Sequence, residues 1–290
     1  MKFYIVDAFT DQAFGGNTAG VVPLEAGAAF PADELMRRIA AELRYSETAF
    51  VRQDGPDGFT VRYFTPAGEI DLCGHATIAT FGTLFREGIV PEGRSCRCHT
   101  RAGELEIVPG RITMMQMAAP RRVGTFESPE LLAALLSAMG GLHADDLSEL
   151  PVETVSTGLP DIILPLRDVT VLQGVKPDMA ALAALSVRFD VVGVHALAFD
   201  EADEYTAHVR NFAPRYDIPE ESATGTANAA LTYYLYLHKR IGEGSRCAFL
   251  QGEAMGRPST VLSTLRIKEG RPDICVGGPC AIVACGELRV

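Results

Sequence analysis

The sequence predicts an α+β protein built from two similar lobes. Three observations carry that expectation: the length of the chain, one long-range internal duplication, and a predominance of short strand-like runs around a few helices. At 290 residues the chain exceeds what one hydrophobic core usually serves, which leaves two packed lobes or one large α/β unit. The duplication decides for two lobes.

In the first half Val61-Arg62-Tyr63-Phe64-Thr65-Pro66 leads through Gly68-Glu69-Ile70-Asp71 to Cys73-Gly74-His75-Ala76 and an apolar helix. In the second, Val209-Arg210-Asn211-Phe212-Ala213-Pro214 leads through Asp217–Glu221 to Thr224-Gly225-Thr226-Ala227 and another helix. The V-R-x-F-x-P blocks lie 148 residues apart and the Gly-x-Ala blocks 151 apart, so one copy carries a three-residue insertion. Each copy reads as a strand ended by Pro, a polar loop, and a helix opened by Gly, because Pro cannot continue a ladder and Gly lets backbone N–H groups approach a ligand. Ile78, Phe81, Leu84 and Phe85 recur at helical spacing, as do Ala227, Ala230, Leu231 and Tyr234, which predicts one buried stripe on each helix.

The remaining elements follow from local pattern. Short apolar or alternating runs predict strands at 3–9, 19–24, 48–52, 104–108 and 112–117, with a helix at 32–43 between them. Ser128-Pro129-Glu130 opens the second half as an N-cap followed by Pro at the first helical position, before the apolar run Leu131–Leu136. Strands are expected again at 152–156, 162–166 and 191–198. The lobe boundary is expected at Pro120–Gly124, giving lobes 1–120 and 121–290. Ile274–Val290 reads as one or two strands able to pair back with either lobe.

Composition excludes several function classes. Lys and Arg number 26 against 37 Asp and Glu, a net charge of −11, and no stretch gathers the basic residues as a phosphate-tracking surface requires. Nucleic acid is therefore not an expected partner. The most apolar windows are far shorter than the roughly 20 residues that span a bilayer, so no membrane association is expected. The amino terminus reaches Asp7 before any signal-peptide core forms, and seven scattered cysteines suit a reducing cytoplasm better than a disulfide framework.

Two lobes, each aiming a helix amino terminus at a shared cleft, would suit a small carboxylate. Candidate acids and bases near it are Glu47, Cys73, His75 and Glu221. Glu47, in Ser46-Glu47-Thr48-Ala49-Phe50, is either a solvated boundary residue or a carboxylate drawn into the cleft. His75 is either a capping imidazole or a site group, and Glu221 by itself stabilises the start of the helix that follows it. Cys73 sits where a thiol can act as a base, but its repeat partner is Thr224. That pairing opposes a two-thiol racemase and favours a small buried hydrophobe. Cys96-x-Cys98-His99 lacks the fourth ligand of a zinc site, so no metal is expected. Cys275, Cys280 and Cys285 read as core, and Gly15-Gly16-Asn17 as a turn rather than a dinucleotide fingerprint. No cofactor motif is present.

These residues resemble the phenazine-biosynthesis PhzF-like proteins, within the diaminopimelate-epimerase-like fold. The resemblance covers nearly the whole chain and rests on the following segments. They are Asp7-Ala8-Phe9-Thr10 with Gly15–Gly20, Ser46–Phe50, Phe64-Thr65-Pro66 with Glu69, Cys73–Thr77, Phe212-Ala213-Pro214, Glu220–Ala227 and Gln251-Gly252-Glu253. It implies that each lobe is a mostly antiparallel sheet wrapped around a central helix, with an active site between the lobes, no cofactor, and a homodimer. It implies further that Glu47 is the catalytic acid/base and that His75 shapes the site. Glu221 and Thr226 match the acidic and hydroxyl positions of the second motif, and the backbone at Gly74-His75 and Gly225-Thr226 receives the substrate carboxylate. The chain departs from the family in having Glu221 where Asp is common, Thr226 where Ser is common, and Thr18 where Pro is common.

The best-understood member isomerises a cyclic dihydro-hydroxyanthranilate. The expected activity is therefore a cofactor-independent isomerase in which Glu47 moves a proton on a small carboxylic acid, with a pKa raised by burial. Two rivals stand beside it: a Cys73-based epimerase or dehydratase of a hydroxy-amino acid, and a catalytically silent small-acid-binding protein.

Overall fold

A computed structural model describes all 290 residues. The chain divides into two compact units, Met1–Gln116 with Gly277–Val290, and Met117–Val276. Unit one begins with β1 (Lys2–Ala8), β2 (Asn17–Pro23), α1 (Asp33–Leu43), β3 (Thr48–Gln53), β4 (Gly58–Phe64) and β5 (Glu69–Ile70). It continues with α2 (Gly74–Arg86), β6 (Cys96–Thr100), β7 (Gly103–Val108) and β8 (Thr113–Gln116). Unit two contains β9 (Arg121–Thr125), α3 (Pro129–Ala138), β10 (Glu153–Ser156), β11 (Pro160–Pro165), α4 (Val169–Gly174), α5 (Met179–Phe189) and β12 (Val194–Ala198). Then come β13 (Ala207–Ala213), β14 (Ile218–Glu221), α6 (Gly225–Leu237), β15 (Arg246–Gln251), β16 (Ser259–Lys268) and β17 (Arg271–Gly278). The last strand, β18 (Cys280–Glu287), pairs antiparallel with β1 and so belongs to unit one.

The duplication read from sequence is a duplication of register. In unit one β18, β1 and β2 are antiparallel neighbours, β2 and β3 run parallel, β3 and β4 antiparallel, β4 and β6 parallel, and β6 and β7 antiparallel. Unit two repeats the series with β9, β10 and β11, then β12, β13, β15 and β16. Each parallel step is bridged by helix, α1 or α2 in one unit and α4 with α5 or α6 in the other, because strands that run the same way need a crossover. Phe64 pairs with Thr48 and its repeat partner Phe212 pairs with Val194, which puts Glu47 and Gly193 at the same point of the two units. Two further bonds agree: Gly20 N donates to the Glu47 carbonyl and Ile162 N to the Gly193 carbonyl, both at 3.0 Å.

Each mostly antiparallel sheet wraps its own helix, α2 in unit one and α6 in unit two. Pattern alone suggested one buried stripe per helix, yet every residue of α2 from His75 to Leu84 is buried. Sheet on several sides explains the difference, since α2 packs on β1, β2, β3, β8 and β18. A helix buried all round must hide its polar side chains, and α2 does so with a threonine ladder. Thr77, Thr80 and Thr83 each donate a hydroxyl to the carbonyl four residues earlier at 2.7 Å, so the helix pairs these donors within itself. Full burial of Ile78, Phe81 and Leu84 contributes roughly 2 kcal/mol each. Gly82 is required by closeness, because a Cβ there would meet the Cys280 sulfur at 2.6 Å.

The V-R-x-F blocks have a physical meaning as well. Side chains two apart on a strand share a face. Arg62 therefore lies over the Phe64 ring and Arg210 over the Phe212 ring, with guanidinium carbons 5.2 and 4.9 Å from the centroids. Each Arg then grips the following loop by a two-pronged pair, Arg62 with Glu69 at 2.7 and 2.8 Å and Arg210 with Glu220 at 2.8 Å twice. Both clamps fix the chain just before a central helix begins.

Two local expectations change in the structure. The expected boundary at Pro120–Gly124 lies within the stretch where residues 121–125 form a strand on β10, and the division between the units falls at Gln116–Met117. Cys285 is exposed rather than core, because the outer half of β18 has no cover. The expected N-cap at Ser128 is present, its Oγ accepting from Leu131 N at 3.4 Å. No helix is long and apolar enough to cross a membrane.

Candidate active site

In unit one the sheet and α2 bring together three side chains that are scattered in sequence. Glu47 ends the connection into β3, His75 is the second residue of α2, and Cys73 is its N-cap in an extended conformation. His75 Nε2 lies 3.1 Å from Glu47 Oε2, and both side chains are largely buried. The Cys73 sulfur rests against the ring, 3.4 Å from Nδ1 and 3.8 Å from Nε2. Asn17 Nδ2 stands 3.3 Å from His75 Nδ1. Nε2 therefore faces Glu47, and an N–H there meets the carboxylate in either the neutral ring or the imidazolium.

The loop that supplies Asn17 is braced from beneath. Buried Asp7 accepts from Phe14 N at 2.7 Å and from Thr18 Oγ1 at 2.5 Å. Gly16 has φ +62°, and a Cβ there would sit 2.2 Å from the Ala8 carbonyl oxygen. Phe9 and Phe14 take positive φ without being glycine, so this loop holds backbone strain beside the site. The sequence showed the Gly-Gly-Asn turn but not that its Asn touches the histidine.

The titration of Glu47 reverses the expectation drawn from burial. Burial does push its carboxyl up, but the His75 ring and charge, with contributions from Ser46 and Cys73, bring it below the ordinary carboxylate range. Burial opposes charge on His75 too, yet the Cys73 sulfur and the Glu47 carboxylate hold its pKa well above the usual imidazole value. Burial raises the Cys73 thiol, so it is neutral at neutral pH. The three groups titrate as one coupled set, in which Glu47 is held toward its ionised form and the His75 ring toward its protonated form. Glu47 Oε2 accepts no aligned hydrogen bond despite its short distance from His75, so one of its lone pairs is uncommitted.

Unit two builds a different site on the same scaffold. Glu221 ends β14, and its Oε2 accepts from Thr224 Oγ1 at 2.6 Å. Thr224 is the N-cap of α6, so Gly225 and Thr226 are its first two residues, and their N–H groups lie in the turn without intrahelical acceptors. Gln251 ties this corner together. Its Nε2 donates to the Glu221 carbonyl at 2.8 Å and to Thr224 Oγ1 at 3.1 Å, while its Oε1 accepts from Thr224 N and Asn228 Nδ2. Beneath it, buried His195 lies 3.3 Å from both Asn211 Nδ2 and Asn228 Oδ1. Burial pushes His195 down to about 4, so the ring is neutral at physiological pH.

Two clusters place possible metal donors within reach of one another: Glu47, Cys73 and His75, and Asp200, Asp203 and His208. In the second, both His208 nitrogens are already held, by Asp203 at 2.6 Å and Glu253 at 2.8 Å. Cys96 and Cys98 lie in β6 and face inward while His99 faces out, as strand alternation dictates, so the three do not converge.

Known proteins share this architecture. A Deinococcus radiodurans protein named an uncharacterized isomerase is 36% identical over 301 residues, covering 97% of this chain and 92% of its own. The crystal structure of the Bacillus anthracis phenazine biosynthesis protein of the PhzF family superposes with TM-score 0.87 at 29% identity, over 100% of this chain and 99% of that one. A hydroxyproline epimerase from Agrobacterium vitis, at 14% identity and TM-score 0.62 over 99% of this chain and 91% of its own, shares the fold alone. Fold, site and relatives together define an isomerase. The family model for phenazine biosynthesis-like proteins, PhzC-PhzF, matches residues 6–286, and the chain belongs to that family.

Proposed function

We propose that the protein is a cofactor-independent isomerase in which Glu47 takes a proton from one carbon of a small carboxylic acid and returns it to another. The state of Glu47 carries the reading: a buried carboxyl held below the ordinary carboxylate range, with one oxygen that accepts no aligned hydrogen bond, 3.1 Å from a histidine ring held toward its protonated form. A low pKa suits the first half of such a shuttle, because the group must begin as a base. The second half needs no raised pKa, since a carbanion or dienolate is far more basic than a carboxylate and takes the proton back readily. Negative charge developing on the substrate would be met by the N–H groups of Gly74 and His75 at the start of α2.

In this proposal His75 holds a polar group of the substrate, and Glu221, Gly225 and Thr226 are substrate-binding residues. The extra methylene of Glu221 and the extra methyl of Thr226, relative to the family's common Asp and Ser, support a substrate other than the phenazine precursor. The family resemblance supports a cytoplasmic homodimer as the working form. The raised pKa of Cys73 weighs against a thiol base, because the un-ionised form is a poor proton acceptor.

Incubation with a panel of small cyclic and amino carboxylic acids in heavy water tests the reading, with deuterium incorporation followed by NMR and mass spectrometry. Exchange is expected in the native protein and in Cys73→Ala and absent in Glu47→Gln. Exchange lost only in Cys73→Ala transfers the role to the thiol. Acids that bind equally to native protein and Glu47→Gln, with exchange in neither, make the protein a silent binder.

A further inference from the structure

Asp161 is a buried carboxyl that the proposed proton shuttle leaves without a task. It lies in β11, is 1% exposed, and its Oδ1 has no hydrogen-bond partner. Ile162 runs parallel to Val194, so the residue across from Asp161 on the next strand is Gly193. No side chain fits at Gly193 to cover the carboxyl, because a Cβ there would lie 1.8 Å from the Phe212 carbonyl oxygen. One strand further on, Asn211 pairs directly with Glu221. Asn211 Oδ1 is 3.2 Å from Thr224 Oγ1, whose single proton serves the shorter contact to Glu221 at 2.6 Å. The groups around Asp161 are thus Val155 on β10, Gly193 and His195 at β12, Asn211 on β13 and Glu221 on β14.

A buried carboxylate with an unsatisfied oxygen is costly, and a neighbouring carboxylate makes it costlier. Both causes act here. Burial first and the charge of Glu221 second raise Asp161 to about 7, against a smaller pull downward from the Gly193 backbone and the Asn211 amide. His195 adds no positive charge to offset this, being neutral above about pH 4.

We infer that Asp161 is a positioning residue of the unit-two site, which through Asn211 sets how the Thr224–Glu221 pair is presented to a ligand. While Asp161 holds its proton it adds no charge to the site, which suits a ligand having both a carboxylate and a hydrogen-bond-donating group such as an amine. Ionisation of Asp161 adds a negative charge and weakens retention of the ligand's carboxylate. This consequence rests on the proposed binding role of Glu221, Gly225 and Thr226; the coupling of the two carboxyls does not.

Infrared difference titration of protein labelled with carbon-13 at aspartate carboxyls tests the coupling without any substrate. A protonated-carboxyl band titrating near pH 7 is expected in the native protein, lost in Asp161→Asn, and moved down by about one pH unit in Glu221→Gln. A spectrum from which Asp161→Asn removes no band overturns the assignment of the proton, and a midpoint unmoved by Glu221→Gln overturns the coupling. The positioning role is read from the deuterium-exchange assay. KM of the native protein should rise between about pH 6 and about pH 8, and Asp161→Asn should flatten that rise. A KM profile that keeps its native shape in Asp161→Asn overturns the role. Should no acid exchange at all, the infrared result still stands and only the isomerase reading falls.

Discussion

Where the first unit enters β3 it carries Glu47, and at the same register point the second unit enters β12 with Gly193. Around that point the substitutions run one way. Cys73 and His75 of unit one correspond to Thr224 and Thr226 of unit two, and Tyr63 and Thr77 correspond to Asn211 and Asn228. Unit one has gathered a carboxylate, an imidazole and a thiol, while at the matching positions unit two has amides and hydroxyls clamped by Gln251. A duplicated scaffold fixes where groups stand without fixing what they do. Here the strand–loop–helix frame and its Arg–Glu clamp are shared, and the carboxylate–imidazole–thiol cluster stands in one copy alone.

The sharpest way to break this asymmetry is Glu47→Gln. Removal of a general acid/base costs 10²- to 10⁴-fold, so deuterium exchange is expected to fall by about 10⁴, near 5 kcal/mol of transition-state stabilisation. Glu221→Gln should instead raise KM more than it lowers kcat, and an equal loss in both variants would erase the distinction between the units. Next in size is Gly193→Ala. The overlap with the Phe212 carbonyl forces backbone to move, and a loss of about 4 kcal/mol in urea unfolding is expected.

The two clamps offer a finer comparison. Arg210 is 9% exposed and also donates to the carbonyls of Leu172, Gln173 and Val175, whereas Arg62 is 22% exposed. Arg210→Met should cost about 3 to 4 kcal/mol by stranding Glu220, and Arg62→Met about 1 to 2, because water reaches Glu69 more readily. Equal losses would show that burial does not separate them.

The two site histidines should respond oppositely to pH. His195 is depressed in the fold to about 4 from an unfolded value near 6.5. Its contribution is present above pH 6.5 and is lost as pH falls toward 4, about 3 kcal/mol in all. His195→Gln should flatten that acid limb in thermal melts. The His75 pKa is raised in the fold, so its contribution is present below the unfolded value and is lost as pH climbs through the folded one. His75→Gln should therefore change the alkaline limb. Parallel changes in the two variants would contradict the opposite shifts of the two rings.

Much of the frame was legible because it obeys local rules. Pro66 and Pro214 end strands, Gly74 and Gly225 open helices, and the V-R-x-F blocks announce the duplication. The resemblance singled out Glu47, His75 and Glu221. The remainder depends on contacts between residues distant in sequence. Gln251 reaches Thr224 and Asn228, and Asn17 reaches His75, through strand pairings that no local period encodes. Asp161 follows a Pro and precedes an apolar run, and only the sheet reveals that it is buried. The direction of the Glu47 shift was misread for the same reason: burial alone predicts a rise, and the sign turns on a histidine 3.1 Å away. Helix α2 was read as one-faced because periodicity records apolar residues and overlooks threonines that satisfy their own hydroxyls.

The pairing of β18 with β1 also bears on the order in which the chain acquires structure. Unit two is complete once residue 276 has been made, whereas the sheet of unit one waits for the segment that follows. During synthesis β1 must spend that interval with one edge unpaired, a template for intermolecular pairing. Its closing partner lies almost the full chain length away in sequence, so the last step is a slow, high-contact-order closure. The half that carries Glu47, His75 and Cys73 is thus the half that matures last.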